Sequence, residues 1–294
     1  MDYMIRAMDK KKTFRVFMVK STDTVETARK HHNTTPTASA ALGRTLSAGL
    51  MMGYMMKNED DRITVSINGG GPIGNILITA DNQGNIKGYV DNPNVDVERK
   101  ENGKLDVGKA VGTNGKVTVI MDIGMKEPYI GSTDIVTGEI AEDITMYYYL
   151  SEQQNSAVAL GVLVDRDYSI KSSGGFIVQT LPFIEDEDLN LIENTLNNLK
   201  SVSDYFDNDK DVEDVAKEIF KDFDLEITDK IPVRFKCDCS YDRMEQALIS
   251  LGEQELTKII EEDENVETVC HFCNEKYLFE GEKLKNLLND IKTR

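Results

Sequence analysis

The stretches RFKCDCSYDR (residues 234–243) and TVCHFCNEKY (residues 268–277) hold every thiol of this chain: Cys237, Cys239, Cys270 and Cys273 are the only cysteines in 294 residues. One pair is spaced CxC, the other CxxC, and 30 residues lie between them. Two close pairs joined by a stretch that folds back can form a tetrahedral all-cysteine zinc site. The gap exceeds the roughly 15 to 20 residues of the common ribbon pattern, and two predicted helices account for the extra length. A closed shell of four thiolates leaves no position for a reacting water, so a metal held this way is a structural element rather than a hydrolytic catalyst. His271, inside the CxxC, is the competing donor, and four sulfurs leave it no place.

Working outward, Ser240 reads as the N-cap of a helix over YDRMEQALISLG, with Met244, Leu248 and Leu251 on one face and Gly252 as its stop. A second helix is predicted over EQELTKIIEED. VETVC and CNEKYLF read as the arms of a hairpin, and EKLKNLLNDIK as a closing helix. Some sixty residues with so few large apolar side chains make a thin core. Zinc binding by such a set contributes on the order of 10 to 16 kcal/mol of apparent folding free energy, enough to hold the segment together. Zinc-bound thiolates also remain nucleophilic enough to meet oxidants, and an oxidised pair is no longer a ligand. Were each pair to close on itself, Cys237–Cys239 would form a very small, strained ring, and Cys270–Cys273 would close more readily.

Upstream, charge marks the boundaries. Residues 1–180 carry a net charge of −2, residues 181–232 of −11, and residues 233–294 of −5. The acidic middle segment places Leu189, Ile192, Leu196, Leu199 and Phe206, then Val212, Val215, Ile219 and Phe223, at helical spacing. Such helices bury one stripe and need a partner surface, while their acidic neighbours repel one another. A docked, easily released helical linker is expected, against the plainer alternative of a solvated acidic face.

The first segment mixes strands with helices. TFRVFMV, RITVSI, NILITA, IKGYV, KVTVIMDI and GGFIVQTLP are apolar or alternating runs bounded by turn residues. Helices are predicted over 37–57 and 139–150, the latter with Ile140, Ile144, Tyr147 and Tyr148 on one face. The fold class is therefore α+β with largely antiparallel sheets. ASAALGRTLSAGLMMGYMM (residues 38–56) is the most membrane-like stretch, but Arg44 in its middle and the charges from Lys57 to Arg62 make it a buried helix. Its methionines suit core packing, or an adaptable binding surface.

Other signals carry little. GGGPIG (residues 69–74) fits GxGxxG formally, yet lies between two strand-like runs where a dinucleotide site needs a helix. His31 and His32 stand in a polar run with no Cys or nearby carboxylate set to make a triad or metal site, and SSGG (residues 172–175) lacks the flanks of a nucleophile elbow. No catalytic constellation is evident, and the expectation is a protein that is not an enzyme. A net charge of −18 weighs against a nucleic-acid binder. The N-terminal residues do not read as a secretory signal. A cytosolic location is expected, where clustered thiols serve as ligands or sensors.

ALGRTLSAGLMMG, GNIKGYVDNP, MKEPYIGSTDIVTGEIAED, YYYLSEQQNSAVALGVLV, GGFIVQTLP, FKCDCS and VCHFCNEKYLF together resemble the redox-regulated heat shock chaperonins of thirty-three kilodaltons, the HslO type, over nearly the whole chain. With the boundaries drawn from charge, the resemblance makes 1–180 a core domain, 181–232 a linker and 233–294 a zinc-binding redox-switch domain. It implies a cytoplasmic holdase, quiet while Cys237, Cys239, Cys270 and Cys273 hold one zinc. On oxidation, it implies disulfides Cys237–Cys239 and Cys270–Cys273, zinc release and unfolding of the C-terminal domain and linker. Partners would be unfolding client proteins and, on activation, a second copy of the chain, with no nucleic acid and no membrane. A purely structural zinc in an enzyme or assembly factor is the competing class.

Overall fold

In the computed structural model, which describes residues 1–182, 184–207, 210–263 and 265–293, the chain divides into two units, Met1–Lys236 and Cys237–Arg294. The first unit opens with β1 (Tyr3–Asp9), β2 (Phe14–Lys20), α1 (Thr22–His32) and α2 (Pro36–Tyr54). It continues through β3 (Arg62–Asn68), β4 (Ile76–Asp81), β5 (Asn85–Val90), α3 (Val107–Val111), β6 (Lys116–Asp122), β7 (Tyr129–Asp134) and α4 (Ala141–Leu150). Then come β8 (Ser156–Val164), β9 (Ile170–Thr180), α5 (Asp186–Asn197), α6 (Val202–Phe206), α7 (Val212–Ile219), β10 (Leu225–Pro232) and β11 (Arg234–Phe235).

Two sheets organise this unit. One runs β10-β1-β2-β9-β8 and is antiparallel throughout; the other runs β11-β5-β4-β3-β6-β7 and is antiparallel except for the β11–β5 pair. The expected α+β class with largely antiparallel sheets is what the chain adopts. β2 reads FRVFMVK because both its faces are covered: Phe14, Val16 and Met18 point into one core, Phe17 and Val19 into another.

The larger core lies around α2, which packs against strands of both sheets and is buried along most of its length. Small residues let it in. A Cβ at Gly53 would meet Asp81 O at 2.6 Å. Arg44, the charge that argued against a lipid span, pairs with Glu139 at 2.7 Å, and among the described residues no helix is long and apolar enough to cross a membrane. GGGPIG links β3 to β4 without an intervening helix. Its backbone lies against the C-terminal end of α3, with Gly71 N–H donating to Val111 O at 2.9 Å.

The smaller core answers where the acidic helices go. Ile192, Phe206, Val212, Val215 and Ile219 are buried against Ile5, Phe14, Val16, Met18, Phe176 and Val178, the outer face of the first sheet. Phe220 joins them, with ring centroids 5.9 Å from Phe14 and 5.6 Å from Phe176. The segment 181–232 departs from the helical expectation in its last part. LEITDKIP alternates and becomes β10, an edge strand on β1, because β1 offers it a ladder. α1, β1, β7 and β8 are further elements that the periodicity of the sequence did not single out.

The second unit contains α8 (Tyr241–Ser250), α9 (Gly252–Glu262), β12 (Asn265–Val269), β13 (Lys276–Glu280) and α10 (Gly281–Thr293). Ser240 caps α8 by accepting from Arg243 N–H at 3.3 Å, and Gly252 adopts φ +83° where the chain turns into α9. Met244 and Leu248 face inward as expected; Leu251 is 49% exposed, because the turn at Gly252 takes it off the face. Among the described residues, the core of this unit is Leu248, Leu256, Phe279, Leu284 and Leu287.

Candidate metal centre

Each cysteine pair is placed by backbone that leaves regular structure at the right point. Cys237 and Cys239 lie in the extended run before the cap of α8. Cys270 and Cys273 sit in the turn of the β12–β13 hairpin, which Cys270 N–H closes on Glu275 O at 2.9 Å and Asn274 N–H on Cys270 O at 2.8 Å. Asn274 takes φ +58°, a left-handed conformation that asparagine tolerates. This tight turn aims both sulfurs of the CxxC to one side.

All four Sγ atoms lie within 4.8 Å of one another. Cys237 Sγ is 3.7 Å from Cys270 Sγ, and Cys239 Sγ is 3.3 Å from Cys273 Sγ. Zinc–sulfur bonds of about 2.3 Å in a tetrahedron put the sulfurs roughly 3.8 Å apart, so the residues present fit a single tetrahedral ion. Cys270 and Cys273 are buried, while Cys237 and Cys239 are half-exposed. His271 is exposed and outside the cluster.

The surroundings treat the thiols unequally. Burial pushes the Cys237 thiol up to about 11, against a backbone hydrogen bond from Cys239 that works to lower it. Burial raises Cys273 as well. Burial also acts on Cys239, but hydrogen bonds from Tyr277 and the other cysteines outweigh it and hold that thiol below its ordinary value. The Tyr277 hydroxyl donates to Cys239 Sγ at 3.2 Å. Tyr277 is the contributor that sequence reasoning missed. It follows the CxxC closely, but nothing local indicates that β13 turns its hydroxyl back onto the first pair.

The chain's likenesses agree with this construction. The family model described as Hsp33 protein matches residues 2–280. The 33 kDa chaperonin of Alkaliphilus metalliredigens is 49% identical over 98% of this chain and 99% of its own length, and that of Alkaliphilus oremlandii 50% identical over 98% and 96%. The 33 kDa chaperonin of Clostridioides difficile is 46% identical over 99% of each. The crystal structure of the 33 kDa chaperonin (heat shock protein 33 homologue) from Thermotoga maritima superposes with a TM-score of 0.91, at 34% identity over 99% of both chains. With its four thiols gathered in one cluster and likenesses that run from end to end, this chain belongs to the Hsp33 family of chaperonins.

Proposed function

We propose that this protein is a redox-gated holdase whose sensor is the cluster of Cys237, Cys239, Cys270 and Cys273. The observation that carries the reading is the four sulfurs within 4.8 Å in a unit whose described core is only five buried side chains. Cys237, Cys239, Cys270 and Cys273 would hold zinc in a closed thiolate shell, and the bound ion would supply the cross-link that a thin core lacks.

Two equivalents of a peroxide oxidise the set. Each equivalent takes two electrons from one pair of thiolates and two protons from solvent, forms one S–S bond and leaves as reduced product, two waters in the case of hydrogen peroxide. The pairs that close are Cys237–Cys239 and Cys270–Cys273, and closing them withdraws all four ligands. The second unit then loses its main source of stability. Cys237 directly follows Lys236, so the release is felt first by β11 and β10 and then by the acidic segment 181–232. As that segment loosens, the apolar face of the first sheet and the stripes of α5–α7 become available to unfolding proteins. A net charge of −11 on residues 181–232 lowers the resistance to that step. Two activated chains then associate, covering part of the exposed surface.

The test is light scattering from a thermally unfolding client, with the protein added either reduced and zinc-loaded or after peroxide treatment at elevated temperature. Suppression of aggregation by the oxidised form alone is the expected result. Failure of both forms, with the oxidised protein soluble and zinc-free, would leave zinc as a structural staple.

A further inference from the structure

The methionines that close α2 do not all belong to the core. Met51 and Met52 are buried, but Met55 and Met56 are only partly so. With Met52, Ile63, Met121 and Tyr148, they line an open cavity of about 260 Å³ in the first unit. Arg15 of β2 reaches into the same cavity. Its Nε–H donates to Gln179 Oε1 at 3.0 Å, and its guanidinium carbon stands 5.4 Å from the Phe17 ring centroid. A guanidinium carries five N–H donors. Among the described residues, Arg15 has no carboxylate partner.

The other polar groups of the cavity are committed. Tyr147 donates its hydroxyl to Glu152 Oε1 at 2.5 Å, Tyr148 donates to Met55 Sδ at 3.2 Å, and Gln154 Nε2 donates to Thr180 O at 2.9 Å. Of the groups acting on Arg15, Tyr148 favours its charge and Arg6, a second cation, opposes it, while Glu152, the carboxylate in the cavity lining, is engaged by Tyr147. A partly buried cation without a counter-ion is costly, and a carboxylate meets the guanidinium fork with two parallel bonds. Around it, thioethers form an adaptable apolar wall. The cavity falls just below the usual range for small-molecule sites, about 300 to 1,000 Å³, so the ligand is small.

We propose that this cavity binds a carboxylate bearing a short apolar chain, with the carboxylate on Arg15 and the chain among Met52, Met55, Met56 and Met121. A free short-chain acid and the C-terminal carboxylate of a polypeptide ending in an apolar residue share this chemistry. All its lining residues belong to the first unit, and none is a cysteine.

The test uses the reduced, zinc-loaded full-length protein with 13C-methyl-labelled methionines, followed by NMR. It is titrated with hexanoate, with an acetylated tetrapeptide ending in leucine, and with hexanol and the peptide amide as controls. Saturable shifts of the Met55, Met56 and Met121 methyls are expected, with exposed Met125 unmoved. Response to hexanoate identifies a free acid as sufficient; response to the peptide acid alone identifies a chain terminus. Arg15→Gln should weaken binding by about tenfold or more, the worth of one charge-assisted hydrogen bond. Should that variant lose its dispersed methyl spectrum, Arg15→Lys, which keeps the charge but not the fork, should bind more weakly than the wild type. No shift at millimolar acid, equal response to hexanol and the amide, or undiminished binding by the folded Arg15 variant would overturn the proposal.

Discussion

Cys239 Sγ lies 3.3 Å from Cys273 Sγ, so a close sulfur contact in the cysteine cluster joins the two cysteine motifs to each other. That geometry makes the pairing of disulfides decisive. Bonds across the motifs, such as Cys239–Cys273, would close a loop of about 35 residues and stabilise the folded unit by roughly 3 to 4 kcal/mol. Bonds within each motif would untie the two segments. Peptide mapping of the peroxide-treated protein is expected to find Cys237–Cys239 and Cys270–Cys273, with loss of protection across the second unit. Cross-motif bonds in an active protein would contradict the proposed release.

Chelation of the reduced protein should act on one unit. Backbone amides of α8–α10 and of the β12–β13 hairpin are expected to lose hydrogen-exchange protection, while those of β2 and β9 keep theirs. The first unit rests on two extensive cores of its own, whereas the described core of the second is five side chains.

Tyr277→Phe removes the hydroxyl that donates to Cys239 Sγ and leaves the ring in place. Groups that hydrogen-bond to metal ligands typically contribute about 10- to 100-fold in metal affinity. A loss of about tenfold is expected in competition with a chromophoric chelator, with the fold of the zinc-loaded protein retained.

Phe220 is 1% exposed and meets the rings of Phe14, Phe176 and Phe223. Phe220→Ala should destabilise the packing of the acidic helices by about 3 to 5 kcal/mol. On the proposed mechanism, it should confer partial holdase activity on the reduced, zinc-loaded protein. Thermal unfolding and the light-scattering assay measure the two effects separately.

Glu139 accepts from Lys100 Nζ at 2.5 Å, Arg44 NH1 at 2.7 Å and Gly108 N–H at 3.1 Å. Burial works to raise its carboxyl pKa, but these partners outweigh burial and hold it below the ordinary 4.5. A carboxyl held low stabilises the fold fully above its unfolded value, and that contribution is lost as pH falls through the folded one. The melting temperature should therefore fall more steeply below about pH 4.5 in the wild type than in Glu139→Gln. At neutral pH the variant should be less stable by about 2 kcal/mol, because Arg44 and Lys100 lose their counter-charge.

By itself, the sequence determined what depends on near neighbours. The CxC and CxxC spacings disclosed the candidate metal-binding cysteines, and the Ser240 cap and Gly252 stop framed α8. Apolar periodicity located α2, α4, α7 and the strands whose side chains alternate or run apolar between turns. These features are local, because each is set by residues within a turn or two of one another. Tertiary structure decided the rest. LEITDKIP becomes a strand because β1 supplies its ladder, and the acidic helices become a layer because β2 turns Phe14, Val16 and Met18 outward to receive them. Tyr277 becomes a partner of Cys239, 38 residues away, only when the hairpin folds back. Arg15 becomes a cation without a counter-ion only when α2, β6 and α4 close around it. Ladders, packed faces and burial are pairwise properties of distant segments, and the periodicity of one segment does not specify which other segment will meet it.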